Sequence, residues 1–348
     1  MTPHDAAPLD PVALATSLMA VESTSGAEGA VIGLAERTLA GRGWRTARIP
    51  VSEGRDDLLA ASDDAPVVTL STHLDTVPPY IPPRVDGGRL YGRGACDAKG
   101  IAAAMICAAE RLRAAGVPVA LLFVVGEETM HDGAHAANAS PLVPPSCRVL
   151  VNGEPTESKL ALATKGAVRL TLRTSGRAAH SAYPELGRSA TRDLVRLLAT
   201  LDDLELPRDE LLGETTVNIG SLAGGVADNV VAPWAEARLM ARLVTPPEEV
   251  VERLRRWVDG RAALSVGATV PPVRLGRVQG FPTDVVAYAT DIPELTRWGT
   301  PFLFGPGSIH VAHTDDEHVE IAELVAAVES YERLARAALA SVRAGDGC

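Results

Sequence analysis

Three apolar runs in the sequence each end in histidine or carboxylate side chains. They are VVTLSTHLDT with His73 and Asp75, LLFVVGEET with Glu127 and Glu128, and VLVNGEPT with Glu154. Two further candidates lie elsewhere: Asp97 in GRGACDAKG and His313 in VAHTDDE. Imidazole nitrogens and carboxylate oxygens are ligands that suit zinc and similar divalent ions. The residue types therefore predict a metal site.

Each piece alone has a simpler interpretation. An isolated HxD more often caps a loop, and a pair of glutamates usually lies on a solvated face. However, Glu127 and Glu128 follow an apolar run, where no solvated helical face is available. Gathering several carboxylates in one place is also costly without a cation to neutralise them. Taken together, the residues favour a site that binds cations.

The elements that must position these side chains are strands alternating with helices. VVTLSTHLD, VALLFVVGEE and CRVLVNGEP are predicted as buried strands, and the Ala-rich stretch from Ile101 to Gly116 as a helix. Such alternation predicts parallel pairing in an α/β sheet. Ligands of open α/β sheets bind beyond the carboxyl ends of the strands. We therefore expect His73, Glu127 and Glu154 at one rim.

The pattern changes after Glu154. AVRLTLRTSG, TTVNIGSLAGG and AEARLMARLV alternate apolar and polar residues, which is typical of strands with one solvated face. Ser189 to Leu204 and PEEVVERLRRWVDG are predicted as helices. We predict an α/β fold: a mostly parallel-sheet catalytic domain (1–163 and 275–348) with helices on both faces, and an inserted α+β, ferredoxin-like domain (164–274) that serves as a lid and dimerisation domain.

Composition narrows the class of protein. The 348 residues carry a formal charge of −11, which argues against non-specific binding to nucleic acid or to anionic membranes. The four cysteines have no CxxC spacing, so a thiolate zinc site or a disulfide scaffold is not expected. No signal peptide or run of about twenty apolar residues is evident. A cytoplasmic protein is predicted.

The motifs resemble a known family over nearly the whole chain. HLDTVPP, GRLYGRGACDAKG, GEET, NGEPT, GRAAHSAYPELGRSA and GPGSIHVAHTDDEHVEI are similar to the dizinc family of acetylornithine deacetylase and succinyl-diaminopimelate desuccinylase. That family also contains aminoacylases, glutamate carboxypeptidases, peptidase T-like enzymes and acyl-lysine deacylases. The resemblance implies two Zn²⁺ ions, with Co²⁺ or Mn²⁺ as alternatives.

The resemblance also implies a role for each candidate. His73 and Glu154 would bind one metal, Glu128 and His313 the other, and Asp97 would bridge the two. Asp75 would orient the His73 imidazole, and Glu127 would be the general base for a water clamped between the metals. The peptide bond after the bridging aspartate is often cis in this family.

Residues of the insert and of a late loop are implied as substrate contacts. His180 resembles a histidine that reaches into the site, commonly from the partner of a homodimer, although alone it would be read as a surface residue. Asn229 and Arg242 match positions that contact substrate carboxylate or backbone, and Gly305 and Gly307 match a loop close to the substrate. Simpler interpretations are a turn for Asn229, a salt bridge at the rim for Arg242 and a plain turn for the two glycines. His310 is a rival to His313, but AHTDDE favours His313.

The predicted activity is hydrolysis of the amide bond of an N-acyl-L-amino acid, of the acetylornithine or acetyl-lysine type. The alternatives are a di- or tripeptidase, a carboxypeptidase, or a succinyl-diaminopimelate desuccinylase. A binding protein that has kept the fold without catalysis would have lost the base or a ligand, and none is lost here. The other histidines (His4, His131, His135 and His318) are predicted to be solvated or structural.

Overall fold

The computed structural model describes residues 7–344, so His4 and Cys348 lie outside the described residues. The helices are α1 (Pro11–Met19), α2 (Gly29–Ala40), α3 (Lys99–Ala114), α4 (Asp132–Ala139), α5 (Ala190–Leu198), α6 (Pro247–Val258) and α7 (Ile321–Ala344). Short 3₁₀ helices span Pro184–Leu186 and Ile292–Glu294. The helix predicted over Ser189 to Leu204 ends at Leu198, because the chain continues in turns with the Leu201 and Leu204 amides bonded three residues back.

The strands are β1 (Arg45–Ser52), β2 (Arg55–Ala61), β3 (Val68–His73), β4 (Arg84–Asp86), β5 (Arg89–Tyr91), β6 (Val119–Val124), β7 (Val149–Asn152), β8 (Leu160–Thr164), β9 (Gly166–Ser175), β10 (Arg208–Asp209), β11 (Gly213–Glu214), β12 (Thr216–Gly224), β13 (Trp234–Leu243), β14 (Ala263–Val270), β15 (Val273–Arg274), β16 (Thr283–Val286), β17 (Thr300–Leu303) and β18 (His318–Glu320). The described chain divides into two compact units. The first comprises residues 7–162, 274–284 and 290–344, and the second comprises 163–273 and 285–289.

A nine-stranded sheet organises the first unit, in the order β1-β2-β6-β3-β7-β17-β8-β15 with β16 beside β8. The central strands β6, β3, β7 and β17 are parallel, and β1, β2 and β8 pair antiparallel. Strands β3, β6 and β7 are buried along their whole length, as expected for strands covered on both faces. The predicted α/β class with a large, mostly parallel central sheet is confirmed.

Helices cover both faces of this sheet. Leu121 and Phe123 of β6 pack with α1, α2, α3 and α7, whereas the neighbouring Leu122 and Val124 pack with α4 and Trp298. This division follows from the strand period of two, which points successive side chains to opposite faces. Among residues 7–344, no helix combines the length and the apolar content needed to cross a bilayer.

The second unit is built on the antiparallel sheet β12-β13-β9-β14. Numbered within the unit, these strands stand in the order 2-3-1-4, and α5 and α6 supply the buried Leu194, Leu197, Val250 and Leu254 to its core. Strand β9 alternates buried and exposed residues, which explains why its sequence alternates apolar and polar residues. A four-stranded antiparallel sheet with two helices inserted in this way has the ferredoxin-like arrangement.

Candidate metal centre and active site

His73 stands at the carboxyl end of β3, with its imidazole fully buried. Its Nδ1 lies 2.9 Å from the backbone oxygen of Asp75 and 3.4 Å from the Asp75 carboxylate, and its Nε2 lies 3.0 Å from Oδ1 of Asp97. The backbone carbonyl therefore holds Nδ1 and sets the ring orientation. This leaves Nε2 directed at the bridging position.

The Asp75 carboxylate lies between two segments of the site. It accepts hydrogen bonds from the backbone N–H groups of Glu127 (3.1 Å) and Glu128 (3.2 Å) and from the hydroxyl of Ser25 (2.7 Å). The sequence predicts that this carboxylate orients His73. In the structure it also holds the Gly126–His131 turn through two backbone N–H groups. Asp75 thus positions both glutamates relative to His73.

Asp97 joins two groups of potential metal ligands. Its Oδ1 faces His73 and its Oδ2 lies 3.2 Å from Nε2 of His313. Ligand atoms of His73, Asp97 and Glu154 lie within 4.8 Å of one another, and so do those of Asp97, Glu128 and His313. The peptide bond Asp97–Ala98 is cis. The geometry thus brings together all the predicted metal ligands in two groups that share one carboxylate.

The pKa shifts at these groups reflect carboxylates that are buried close together. Burial, and then the charge of Glu127, raise the pKa of Glu154 well above its ordinary value. Hydrogen bonds to Asp97 and Glu128 raise the pKa of His313 to about 10. Both shifts favour the protonated form of the group, because the neighbouring carboxylates repel further negative charge. Since metal ligands bind deprotonated, two divalent ions fit the place of these protons.

Glu127 differs from the other carboxylates of the site. It belongs to neither ligand group, and no hydrogen bond to its carboxylate is seen within residues 7–344. Burial raises the pKa of Glu127, and nearby Asp291 and Glu128 raise it further, although His73 lowers it. A carboxylate beside the ligands but outside them suits the transfer of protons.

The predicted glycines lie against the metal segments. A Cβ on Gly305 would stand 2.4 Å from the backbone oxygen of Glu154, and one on Gly307 would stand 2.5 Å from Cβ of Cys96. Gly307 also has a φ of +84°, which favours glycine. The absence of side chains here lets the loop after β17 approach the segments carrying Glu154 and Asp97.

The remaining predicted site residues lie in the second unit. His180 pairs with Val230 in an isolated β-bridge, and the backbone N–H of Ser181 donates to the oxygen of Asn229. The structure thus brings the loops of His180 and Asn229 together, with both side chains exposed. Arg242 lies on β13 opposite Ala167, and burial together with Arg169 lowers its pKa.

Two pairs that sequence reasoning missed adjoin the metal ligands. His131, predicted to be solvated or structural, bonds Asp291 at 2.8 Å beside Glu127. Arg93 and Glu317 form a buried ion pair of 2.6 Å behind Asp97. The partners are 160 and 224 residues apart in the chain, so no local pattern indicated either pair.

Comparison with known proteins identifies the family of the chain. The model of Peptidase family M20/M25/M40 matches residues 69–337. The chain is 36% identical to a protein of Paracoccidioides brasiliensis (strain Pb18) described as a probable carboxypeptidase, covering 94% of this chain and 85% of that one.

Two solved structures have the same fold. A tripeptidase of Staphylococcus aureus superposes with a TM-score of 0.79 at 20% identity, covering 95% of this chain and all of the other. A Bacillus subtilis protein described as a dinuclear metal-binding peptidase of the M20 family gives 0.72 at 15% identity, covering 93% and 96% of the two chains. From the extent of the family match and the identity to a curated relative, the chain belongs to peptidase family M20/M25/M40 and is a metallopeptidase, a hydrolase of peptide or amide bonds.

Proposed function

We propose that this metallopeptidase releases a C-terminal amino acid by cleaving the amide bond to the preceding acyl or peptidyl group. The observation that carries the proposal is the pair of ligand groups sharing Asp97, with Glu127 beside them and outside both. Carboxypeptidase action is the first candidate, supported by the name of the Paracoccidioides relative. N-acyl-L-amino acid deacylation, of the acetylornithine or acetyl-lysine type, is the second and is supported by the motif GRLYGRGACDAKG.

Different residues of the site bind the metals, transfer the proton and position the base. We propose that His73 and Glu154 would hold one Zn²⁺, that Glu128 and His313 would hold the other, and that Asp97 would serve both, with Co²⁺ or Mn²⁺ as alternative ions. When bound, such ions activate water and polarise the scissile carbonyl group. Glu127 accepts the proton of the attacking water at a carboxylate oxygen and passes it to the leaving amine. Asp75 holds the backbone of Glu127 and Glu128 at fixed distance during this transfer.

Glu127→Gln tests the role of the base. We expect kcat to fall about 10²–10⁴-fold while metal content is unchanged, because Glu127 lies outside both ligand groups. Asp97→Asn is the contrasting variant and should lose metal as well as activity. Retained activity in Glu127→Gln would remove Glu127 from the role of base.

A substrate panel separates the two candidate activities. The zinc-loaded enzyme is assayed on N-acetylornithine, N-acetyl-lysine, N-succinyl-diaminopimelate, a free dipeptide and an N-blocked dipeptide. The C-terminally amidated form of the N-blocked dipeptide is the matched control. Carboxypeptidase action requires turnover of the N-blocked dipeptide and none of its amide. Turnover of the acetylated amino acids alone would favour the deacylase, and turnover restricted to peptides with a free amino terminus would contradict both.

The roles of His180, Asn229 and Arg242 as substrate contacts stay predictions from the sequence. Substituting each by alanine should raise KM without loss of metal. The predicted homodimer is tested separately by light scattering.

A further inference from the structure

The base proposed for the reaction lies beside a histidine–aspartate pair that the mechanism above does not use. His131 Nδ1 lies 2.8 Å from Oδ1 of Asp291 and 3.9 Å from Oε1 of Glu127. Asp291 is 1% exposed and Glu127 has 11% of its side chain exposed, so the three groups meet with little water between them. Among the described residues, His131 is the histidine or basic side chain within 4 Å of the Glu127 carboxylate, whereas His73 lowers the pKa of Glu127 from farther away.

The backbone fixes Glu127 and His131 on one turn. The N–H groups of Met130 (3.1 Å) and His131 (2.9 Å) both donate to the oxygen of Gly126, which closes the turn around Glu127. His131 has a φ of +54°, a conformation that residues other than glycine keep only where their surroundings hold it. Asp291, the residue before the 3₁₀ helix Ile292–Glu294, holds His131 in this conformation through the bond to its Nδ1.

Charge acts in the same direction as geometry. Burial lowers the pKa of His131, but the hydrogen bond and the charge of Asp291 raise it by more, so its net shift is upward. Asp291 thus favours the protonated imidazole, which lies between the Asp291 and Glu127 carboxylates, two groups that repel each other. A histidine of α4, His135, pairs with Glu294 of the 3₁₀ helix Ile292–Glu294 at 3.1 Å. Among the described residues, neither His135 nor Glu294 forms a hydrogen bond or an ion pair with Glu127, so this pair is a natural comparison.

We infer that His131, oriented by Asp291, positions the Glu127 carboxylate for proton transfer. The inference rests on the proposed function, in which Glu127 is the base. His131 is a positioning residue, since it acts through Glu127 and needs no contact with substrate. Its removal should therefore affect the chemical step and leave substrate binding and metal loading in place.

Two single variants test the pair. His131→Asn removes the imidazole while keeping a residue that tolerates positive φ, and Asp291→Asn keeps an acceptor for Nδ1–H while removing the charge. We expect either change to lower kcat about 10–100-fold, with KM within about twofold of the parent and metal content unchanged. His135→Asn, which removes the neighbouring histidine–carboxylate pair, should keep the parental kcat. Melting temperatures establish that each variant is folded.

A double variant separates positioning from packing. In the background of Glu127→Asp, His131→Asn should cause little further loss, because a residue that acts through Glu127 is coupled to it. Losses that multiply would show that His131 acts independently and would overturn the inference. So would parental kcat in both single variants, or equal losses in His131→Asn and His135→Asn. If Glu127→Gln stays active, the assignment of Glu127 as the base fails, and the inference fails with it. If Glu127→Gln loses activity while His131→Asn does not, only the inference fails.

Discussion

Replacing Glu317 by glutamine should destabilise the first unit more than any exposed charge change. Glu317 Oε1 accepts from the backbone N–H groups of Gly94 (2.9 Å), Asp97 (3.3 Å) and Cys96 (3.4 Å), and Oε2 accepts from Arg93 Nη1 at 2.6 Å. An amide cannot reproduce this pattern: whichever way it is turned, its NH₂ group faces a donor. The change therefore leaves either Arg93 or the backbone of the Asp97 loop without its acceptor.

The expected size follows from burial. Arg93 is 2% exposed and the Glu317 side chain is fully buried, and breaking such a pair by removing one partner costs about 3–5 kcal/mol. At about 2–4 °C per kcal/mol for a domain of 150–250 residues, Tm should fall by about 6–20 °C. Burial raises the pKa of Glu317 although Arg93 lowers it, so the pair itself is costly to bury. The loss thus measures a buried donor left unpaired, either Arg93 or the backbone of the Asp97 loop, and not a favourable salt bridge.

The assay is thermal unfolding of metal-free and zinc-loaded protein, together with zinc affinity. Because Glu317 holds the backbone N–H of Asp97, Glu317→Gln should also weaken metal binding. Glu320→Gln is the matched control: Glu320 pairs with Arg89 at 2.6 Å, but both side chains are more than 40% exposed, so its loss should change Tm far less than the loss of Glu317. Equal Tm and zinc affinity in the two variants would refute the reasoning.

Three further predictions concern the same unit. Gly307→Ala should lower both Tm and kcat, because the added Cβ would lie 2.5 Å from Cβ of Cys96. Gly54 is the control: its φ is similar, +74°, but a Cβ there would have nothing within 4 Å, so Gly54→Ala should change Tm alone. Burial raises the pKa of Asp57 to about 9, although the hydrogen bond from the Val125 amide lowers it. The folded state therefore keeps a proton on this carboxyl up to about pH 9, whereas the unfolded state loses it near the ordinary Asp pKa of 3.8. The free energy of unfolding should therefore fall as pH rises from about 4 to about 9, and urea titrations of Asp57→Asn should show a weaker decline; equal declines would contradict the assignment. Removing divalent ions with a chelator should abolish activity and lower Tm, and zinc should restore both; a chelated enzyme that remains active would contradict the metal site.

Residue types and their order along the chain were enough to predict the donor set. His73 ends a buried strand, the Glu127–Glu128 pair and Glu154 each follow one, and alternating strands and helices indicate a parallel sheet whose carboxyl ends share a rim. The resemblance to the dizinc family then implied that Glu128, not Glu127, is a ligand. The change of pattern after Glu154 likewise predicted a separate α+β segment, because a one-sided sheet requires alternation and a two-sided sheet does not. These inferences depend on local periodicity, which a sequence displays directly.

Only the tertiary structure decided how the donors are held. The Asp75 carboxylate binds the backbone of Glu127 and Glu128, Glu317 binds the loop of Asp97, and Asp291 binds His131. The partners in these contacts lie 52 to 220 residues apart along the chain. Such contacts depend on which loops the packed sheet brings together, and a buried acid that serves a backbone amide has the same local sequence signature as one that binds a metal. The residue types therefore revealed the chemistry of the site, and long-range packing determined which side chains support it.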